Sequence, residues 1–411
     1  MDGYHFGSLT LVRLHQGPLA FCIDPYLQFM QEQGFVQQTA DQRARLVADF
    51  SRWLEKCGHG AEDVSQEKID KYLRFRYRQL SPQNYDSVAL QRLIELLRRM
   101  GVISVQTPQP IVNARDVLLE EYRLYLVQQR ALAARTLDYY LPFACQFLDE
   151  CFNPNRINIS KLCAQDVTAF VGQQAKMLSR NGAKHMTAAL RSFLRYLHYR
   201  GDLGCNLDAC VPAVACWSLS EIPKYLDHSQ VQRLLDYCDR QTALGLRNYA
   251  ILLLLARLGL RASEVASLKL EDIDWEAGHI VVRDKGDRSA QLPLPVDVGE
   301  AVAAYLQRGR PSCSTRFIFV RFMAPRRGLA GPSSISSIVR CAMIRAGIDS
   351  QRKGAHVLRH SLATHMLRQG GSLAEVGEIL RHRDSNTTAI YAKVDLTALR
   401  MLAPQWPGGN L

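Results

Sequence analysis

The sequence has no apolar run long enough to cross a membrane. The candidate apolar stretch at residues 251–256 falls well short of the about 18 consecutive apolar residues of a spanning helix. The chain opens with Asp2 and lacks a leader in which basic residues precede an apolar run, so secretion is not expected. We therefore expect a cytoplasmic protein.

The sequence also lacks paired cysteines and clustered metal ligands. Its cysteines number 11, an odd count, and none forms a C-x-x-C pair. Cys205, Cys210 and Cys216 lie close together but have no well-spaced histidine. Reduced thiols are therefore expected, rather than disulfides or a zinc site. No carboxylate cluster suits Mg²⁺ either, and we expect neither a metal nor another cofactor.

Positive charge is present in excess and is unevenly distributed. Lys and Arg number 51 against 39 Asp and Glu, which gives +12 at pH 7. Residues 1–110 carry a net +1, residues 111–220 a net +3 and residues 221–411 a net +8. A basic C-terminal half suits a polyanionic partner, of which nucleic acid is the most common.

The chain divides into three segments, bounded by breaker-rich stretches at 107–110 and 205–223. The segments 1–110 and 111–220 read as helical throughout. The segment 221–411 mixes helices with two β-runs, 279–283 and 290–294, around a tight turn. Its first helix is predicted to begin at Asp227, with Gln230 completing a capping box. The predicted fold class is mainly α with a small β-sheet.

The first two segments share a spacing that suggests a duplicated four-helix unit. Thr39 and Phe50 are eleven residues apart, as are Thr136 and Phe147. Further matches follow at a nearly constant offset, including the glycine that closes each segment's last helix. The alternative is a chance similarity between two helical bundles.

A set of polar residues in the third segment is suited to phosphate chemistry. In chain order it comprises Arg261, Glu264, Lys285, His356, Arg359, His360, His382 and Tyr391. Each residue alone has an ordinary explanation, such as a helix-capping arginine, a solvated lysine or a half-buried tyrosine. A zinc site at His356 and His360 is unsuitable, because Val357 stands where H-E-x-x-H needs glutamate and Arg359 would repel the cation.

In order and spacing, this set resembles the tyrosine recombinases, or phage-type integrases. The family pattern is an Arg after Gly-Leu, a Lys at a β-turn, a His-x-Leu-Arg-His box, and a Tyr nine residues after a His or Trp. The resemblance implies a helical DNA-clamping, core-binding domain plus linker at 111–220 and a catalytic domain at 221–411. It leaves 1–110 as an extra N-terminal helical domain. The sequence departs from the pattern at Asp284 and Arg381, where the family commonly has glycine.

The resemblance also implies catalytic roles for six residues: Arg261, Lys285, His356, Arg359, His382 and Tyr391. Glu264 and His360 would support them. The residue types fit DNA strand exchange, since tyrosine can form a covalent phosphotyrosine and two arginines present planar forks to phosphate oxygens. Lysine can protonate the leaving 5′ oxygen, and histidine can act as base or donor.

The expected function is site-specific DNA recombination through a 3′-phosphotyrosine and a Holliday junction. The expected partners are a double-stranded recombination site, three further copies in a tetramer on synapsed DNA, and possible accessory recombinases or DNA-bending proteins. The free protein is expected to be a monomer or dimer. Two alternatives stay open, a type IB topoisomerase and a catalytically idle DNA-binding protein. Candidate DNA contacts are Arg288, Arg381 and Arg383. Three further candidates, Lys71, Arg74 and Arg78, would form a stripe along one face of a helix at i, i+3 and i+7.

Overall fold

A computed structural model of the chain describes residues 13–78, 80–83, 85–103, 113–153, 157–214, 222–283, 289–394 and 399. The chain forms two compact units. One contains Met1–Ser104 together with Glu221–Leu411, and the other is Val105–Ser220. Among the described helices, none is both long and apolar enough to cross a membrane.

The N-terminal part is a helical bundle with its own apolar core. Its four helices are α1 (Ile23–Glu32), α2 (Gln37–Lys56), α3 (Gln66–Arg76) and α4 (Asp86–Arg99). The α4 residues Leu90, Leu93, Ile94 and Leu97 recur with helical period and are all buried, as an amphipathic helix requires. A short 3₁₀ helix, Ala20–Cys22, precedes α1.

The second unit is also a helical bundle. Its helices are α5 (Ala114–Gln128), α6 (Ala134–Cys151), α7 (Ala164–Met177) and α8 (Arg180–Arg200), with 3₁₀ helices at Ile159–Lys161 and Leu207–Cys210. The predicted apolar face of α8, formed by Leu190, Phe193, Leu194 and Leu197, is fully buried.

The two bundles share the features on which the predicted duplication rests. Phe50 contacts Tyr72 with ring centroids 5.0 Å apart, and Phe147 contacts Phe170 with centroids 5.2 Å apart. The last helix of each bundle is followed by a glycine with positive φ, 71° in the first and 88° in the second. The duplication stays a prediction, because two four-helix bundles can share such packing by chance.

The C-terminal part is mainly helical and carries one small sheet, which confirms the predicted fold class. Its helices are α9 (His228–Asp236), α10 (Ala243–Arg257), α11 (Ala262–Ser267), α12 (Val296–Ala304), α13 (Pro332–Arg345), α14 (Ala355–Arg368), α15 (Leu373–Ile379) and α16 (Ser385–Thr388). A 3₁₀ helix lies at Leu270–Asp272, a π-helical turn at Tyr305–Gly309, and a last 3₁₀ helix at Ala389–Val394. The helix predicted to begin at Asp227 does so, with the backbone N–H of Asp227 donating to Gln230 Oε1 at 3.0 Å.

The sheet contains the predicted hairpin and one additional short strand. Its strands are β1 (Ile273–Asp274), β2 (His279–Arg283) and β3 (Ser289–Pro293), all antiparallel in the order β1-β2-β3. Lys285 and Arg288 belong to the segment between β2 and β3 and lie outside the described residues.

Two apolar clusters stabilise the C-terminal part. The larger is built around α10, whose residues 250–255 are all buried. The smaller contains Ala363 and Leu367 of α14, Val376 of α15 and Tyr391. This second cluster brings α14, α15 and the last 3₁₀ helix together.

The N-terminal bundle touches the C-terminal part directly. The backbone N–H of Arg326 donates to the carbonyl of Gln33 at 2.8 Å. Gly34 lies beneath the Arg326 side chain, where an added Cβ would be 2.4 Å from Arg326 Cδ. Glycine at position 34 therefore permits this close approach.

Candidate active site

Four segments of the C-terminal part supply the polar residues of the site. Arg261 is the N-cap of α11. On α14, His356, Arg359 and His360 lie at i, i+3 and i+4, so they share one face. His382 follows α15, and Tyr391 lies on the 3₁₀ helix Ala389–Val394.

Glu264 holds Arg261 in place. One Glu264 oxygen accepts from the Arg261 backbone N–H at 2.8 Å, and the other accepts from Arg261 Nη1, also at 2.8 Å. The Glu264 side chain is 2 % exposed, whereas that of Arg261 is 26 % exposed. The buried carboxylate therefore orients a guanidinium that still reaches solvent.

Arg359 is buried and is anchored by backbone carbonyls. Its Nη1 donates to the carbonyl of Gly259 and its Nη2 to that of Leu380. Burial lowers the pKa of Arg359 to about 10, and the nearby charges of Arg261 and Arg381 act in the same direction. The guanidinium remains charged at neutral pH, because that pKa lies well above 7.

Tyr391 is buried and has a histidine hydrogen-bonded to its hydroxyl. The hydroxyl oxygen lies 2.8 Å from His360 Nδ1, and the ring stacks nearly parallel to that of His382 at 6.3 Å between centroids. Burial raises the pKa of Tyr391 to about 12, an effect that the charge of Arg359 partly offsets. The phenol is therefore protonated in the free protein.

The three histidines of the site are neutral at physiological pH. Burial lowers the pKa of His360 to about 4, helped by His356 and nearby arginines. Burial and Arg359 likewise lower the pKa of His382 to about 4, and the pKa of His356 is also lowered, first by burial. A neutral His360 can accept a proton at Nδ1 if its other nitrogen carries the ring hydrogen.

The structure brings together seven of the eight residues predicted for the site. The eighth, Lys285, lies outside the described residues. Sequence reasoning missed the carbonyls of Gly259 and Leu380 and the hydroxyl of Thr388, which lies 2.7 Å from His382 Nδ1. No sequence signal marks these groups, because any residue has a carbonyl and threonine is common at helix ends.

The candidate DNA-contacting residues have different surroundings. Arg381 is not free at the surface, since its guanidinium pairs with Glu264 at 2.9 Å and is 13 % exposed. Arg383, Arg74 and Arg78 are exposed, and Lys71 pairs with Glu67 at 2.7 Å on the surface of α3. The predicted stripe of Lys71, Arg74 and Arg78 needs one correction, because α3 ends at Arg76 and Arg78 lies beyond it.

Within the described part of the chain, no three His, Cys, Asp or Glu side chains lie close enough together to hold a metal ion. His356 and His360 have ring centroids 6.4 Å apart, with the charged Arg359 on the same helix face. Among the described residues, the charged groups at the centre of the site are the guanidiniums of Arg261, Arg359 and Arg381 and the carboxylate of Glu264, so their net charge is positive. Such a site suits an anion with several oxygens, such as a phosphodiester.

Comparisons with known proteins agree with this chemistry. The sequence model of the phage integrase family matches residues 224–397. Sinorhizobium fredii y4rA, named as an integrase/recombinase, is 45 % identical over 402 residues, covering 98 % of each protein. The tyrosine recombinase XerD of Listeria monocytogenes is 32 % identical over 293 residues, covering 69 % of this chain and 95 % of XerD.

Solved structures show the same fold. The XerH recombinase in a post-cleavage complex with difH DNA matches with a TM-score of 0.55 and 19 % identity, covering 84 % of this chain and 98 % of that one. A lambda integrase dimer on a COC′ core site matches with a TM-score of 0.52 and 15 % identity, covering 67 % and 94 % of the two chains. Since it is 45 % identical to y4rA over 98 % of its length and 32 % identical to XerD over 69 % of its length, this chain belongs to the phage integrase family and is a tyrosine-type site-specific DNA recombinase.

Proposed function

We propose that Tyr391 is the nucleophile that cleaves and rejoins DNA strands. The observation that carries this proposal is the placement of its hydroxyl against His360 Nδ1 at 2.8 Å, beside the buried guanidinium of Arg359. In this reaction the tyrosine oxygen bonds to phosphorus and the bond from phosphorus to the 5′ oxygen breaks. The product is a 3′-phosphotyrosine, and attack by a 5′ hydroxyl reverses the step without ATP.

Arg261 and Arg359 are proposed to bind the non-bridging oxygens of the scissile phosphate. Both guanidiniums are fixed by the protein before DNA arrives, Arg261 by Glu264 and Arg359 by two carbonyls. Donors that are already oriented stabilise the charge of the pentavalent transition state without reorganisation. Guanidinium forks also match the geometry of two phosphate oxygens.

Two protons must move in each cleavage step. We assign the proton of the Tyr391 hydroxyl to His360, which is neutral and in hydrogen-bond contact with it. Lys285 is proposed to give a proton to the leaving 5′ oxygen, as the resemblance to the family implies. His356 and His382 are proposed to donate hydrogen bonds to the phosphate from the same pocket.

The biological reaction is proposed to be recombination of a mobile element or resolution of a replicon. It would exchange one strand at a time through a Holliday junction, with four copies on two synapsed duplexes in the bacterial cytoplasm. We propose that 111–220 clamps the core site and that accessory recombinases or DNA-bending proteins assist. The XerH and lambda integrase structures carry DNA sites, which supports a double-stranded DNA substrate.

The test uses a nicked suicide duplex made from the inverted repeats that flank the gene. Wild-type protein is expected to form an adduct that survives denaturation, and Tyr391→Phe is expected to bind the duplex equally well without forming it, because only the hydroxyl is lost. An adduct in the Tyr391→Phe variant would overturn the assignment. A wild type that binds but forms no adduct would favour an idle DNA-binding protein, and relaxation of plasmids lacking the site would favour a topoisomerase.

A further inference from the structure

Arg381 occupies a backbone position that normally takes glycine. Its φ is +54°, and Ala131 is the only other non-glycine residue of the described chain with positive φ. Arg381 follows Leu380, the C-cap of α15. The N–H of Arg381 donates to the carbonyl of Glu378 and that of His382 to the carbonyl of Gly377, both at 2.9 Å. This is the Schellman pattern, in which a Cβ at the left-handed position is unfavourable.

The Arg381 side chain folds back into the active site. Its Nη2 lies 2.9 Å from Glu264 Oε2, 117 residues earlier in the chain, and its Nη1 donates to the carbonyl of Ile379 at 3.2 Å. The Arg381 side chain is 13 % exposed and that of Glu264 is 2 % exposed. A buried pair of this kind accounts for an arginine where the backbone favours glycine.

Arg381 is connected to Arg261 by two routes. Glu264 is shared, with Oε1 accepting from Arg261 Nη1 and Oε2 accepting from Arg381 Nη2. The Arg381 carbonyl in addition accepts from Arg261 Nη2 at 3.2 Å. The preceding carbonyl, that of Leu380, accepts from Arg359. A single turn therefore anchors both of the guanidiniums assigned to the phosphate.

We propose that Arg381 is a positioning residue for strand cleavage, which sets Arg261 through Glu264 without touching DNA itself. Its guanidinium binds one carboxylate oxygen of Glu264, so that the Arg261 guanidinium is held through the other. Its charge also offsets that of Glu264, so the site presents its net positive charge to the scissile phosphate. This inference rests on the proposed function.

The main test measures adduct formation at saturating suicide duplex in single turnover. Arg381→Gly removes the guanidinium and suits the left-handed backbone, and Arg381→Asn does the same with a polar side chain. Both are expected to slow cleavage by about tenfold or more, since small displacements of a reacting group have effects of this size. Arg381→Lys is expected to recover part of the rate. The matched control, Arg316→Ala, removes a surface guanidinium that lies 3.3 Å from the Glu271 carboxylate in the same part of the chain and is expected to cleave at the wild-type rate.

A second measurement separates positioning from loss of folding. When the scissile phosphate is replaced by a methylphosphonate, one charged oxygen is lost and the arginine clamp matters less. The ratio of wild-type to Arg381→Gly rates is expected to fall from about ten towards one on this substrate. A variant that is merely less well folded would show the same ratio on both substrates.

A double variant tests the route through Glu264. If Arg381 acts through that carboxylate, Arg381→Gly should slow the Glu264→Gln protein by much less than it slows the wild type, because coupled residues are not additive. The proposal would be overturned if the Arg381→Gly variant cleaved at the wild-type rate at saturating DNA but bound DNA more weakly. Arg381 would then be a DNA contact. Fully additive losses, or equal ratios on both phosphates, would overturn it too. Failure of the wild type to form any adduct would instead refute the proposed function.

Discussion

Tyr391 and His360 share a hydrogen bond in which burial determines both protonation states. The pKa of Tyr391 is raised to about 12 and that of His360 is lowered to about 4, so the proton rests on the tyrosine. The phenol is therefore protonated at neutral pH in the free protein. A bound phosphodiester would bring negative charge beside His360 and favour its protonated form. The proton can then pass to His360 as the Tyr391 oxygen bonds to phosphorus, so that no free phenolate has to form first.

The first prediction at this scale concerns stability against pH. The folded pKa of His360, about 4, lies below the unfolded value of about 6.5, so the unfolded chain binds the proton more tightly. The contribution of neutral His360 to the free energy of unfolding is then fully present above about pH 6.5 and is lost as the pH falls towards 4. The loss by pH 5.5 should be about 1 kcal/mol for this residue. We expect the melting temperature to fall less between pH 7.5 and 5.5 in His360→Asn than in the wild type; equal falls would contradict the prediction.

The second prediction concerns the geometry of Arg359. Arg359→Lys keeps a positive charge but loses the planar guanidinium. The lysine side chain cannot reach the carbonyls of Gly259 and Leu380 and a phosphate at the same time. We expect adduct formation to fall by about 10² while affinity for the duplex changes little. Single-turnover cleavage together with a binding titration checks both parts. Full activity in the lysine variant would show that charge alone is sufficient.

At the scale of elements, the active site depends on where helices end. Arg261 caps α11, and the turn after α15 presents the carbonyls of Leu380 and Arg381 to Arg359 and Arg261. Helix ends leave backbone groups without intrahelical partners. This site uses those groups to fix two charged side chains.

Gly259 provides a prediction about such an element end. Its φ is +58°, its carbonyl accepts from Arg359, and an added Cβ would lie 2.7 Å from Leu380 Cδ2. We expect Gly259→Ala to lower both stability and cleavage. The control is Gly278→Ala, at φ +66° with no atom within 4 Å of the added Cβ. Gly278→Ala should lower the free energy of unfolding by about 1 kcal/mol, because a Cβ is unfavourable in the left-handed conformation, and it should leave cleavage intact. This account would be contradicted if the two variants had the same melting temperature and the same rate of adduct formation.

The sequence alone predicts elements and residue types better than it predicts contacts. Local patterns predict the start of α9 at Asp227, the buried face of α8 and the two strands that pair as β2 and β3. Capping and periodicity act over only a few residues, so a short stretch of sequence is enough to show them. The pairing of Arg381 with Glu264 does not, since it joins residues 117 positions apart. The end of α3 at Arg76 was also missed. A basic run shows where charge is concentrated but not where a helix stops.

At the scale of the whole molecule, the net charge of +12 is concentrated in the part that carries the site. The N-terminal bundle is nearly neutral, and several of its basic residues are already paired with acids. Arg76 is one example, since it lies within 3.4 Å of Asp49 and Asp86 carboxylates. Any contact of this bundle with DNA must therefore come from its exposed cations and not from its overall charge.

The last prediction tests that contact through Lys71, Arg74 and Arg78. Changing all three to glutamine should weaken DNA binding and lower the slope of log K against log salt by about one for each phosphate that the bundle no longer neutralises. Adduct formation at saturating duplex should stay unchanged, because these residues lie outside the active site. The matched control changes Lys56, Arg98 and Arg99 to glutamine; it removes the same charge from the same bundle and also breaks an i, i+4 pair, Arg99 with Glu95 at 2.6 Å. Equal salt slopes for the two triple variants would show that the bundle acts only through its total charge. A smaller slope in the variant of Lys71, Arg74 and Arg78 alone would place DNA against the region around the end of α3.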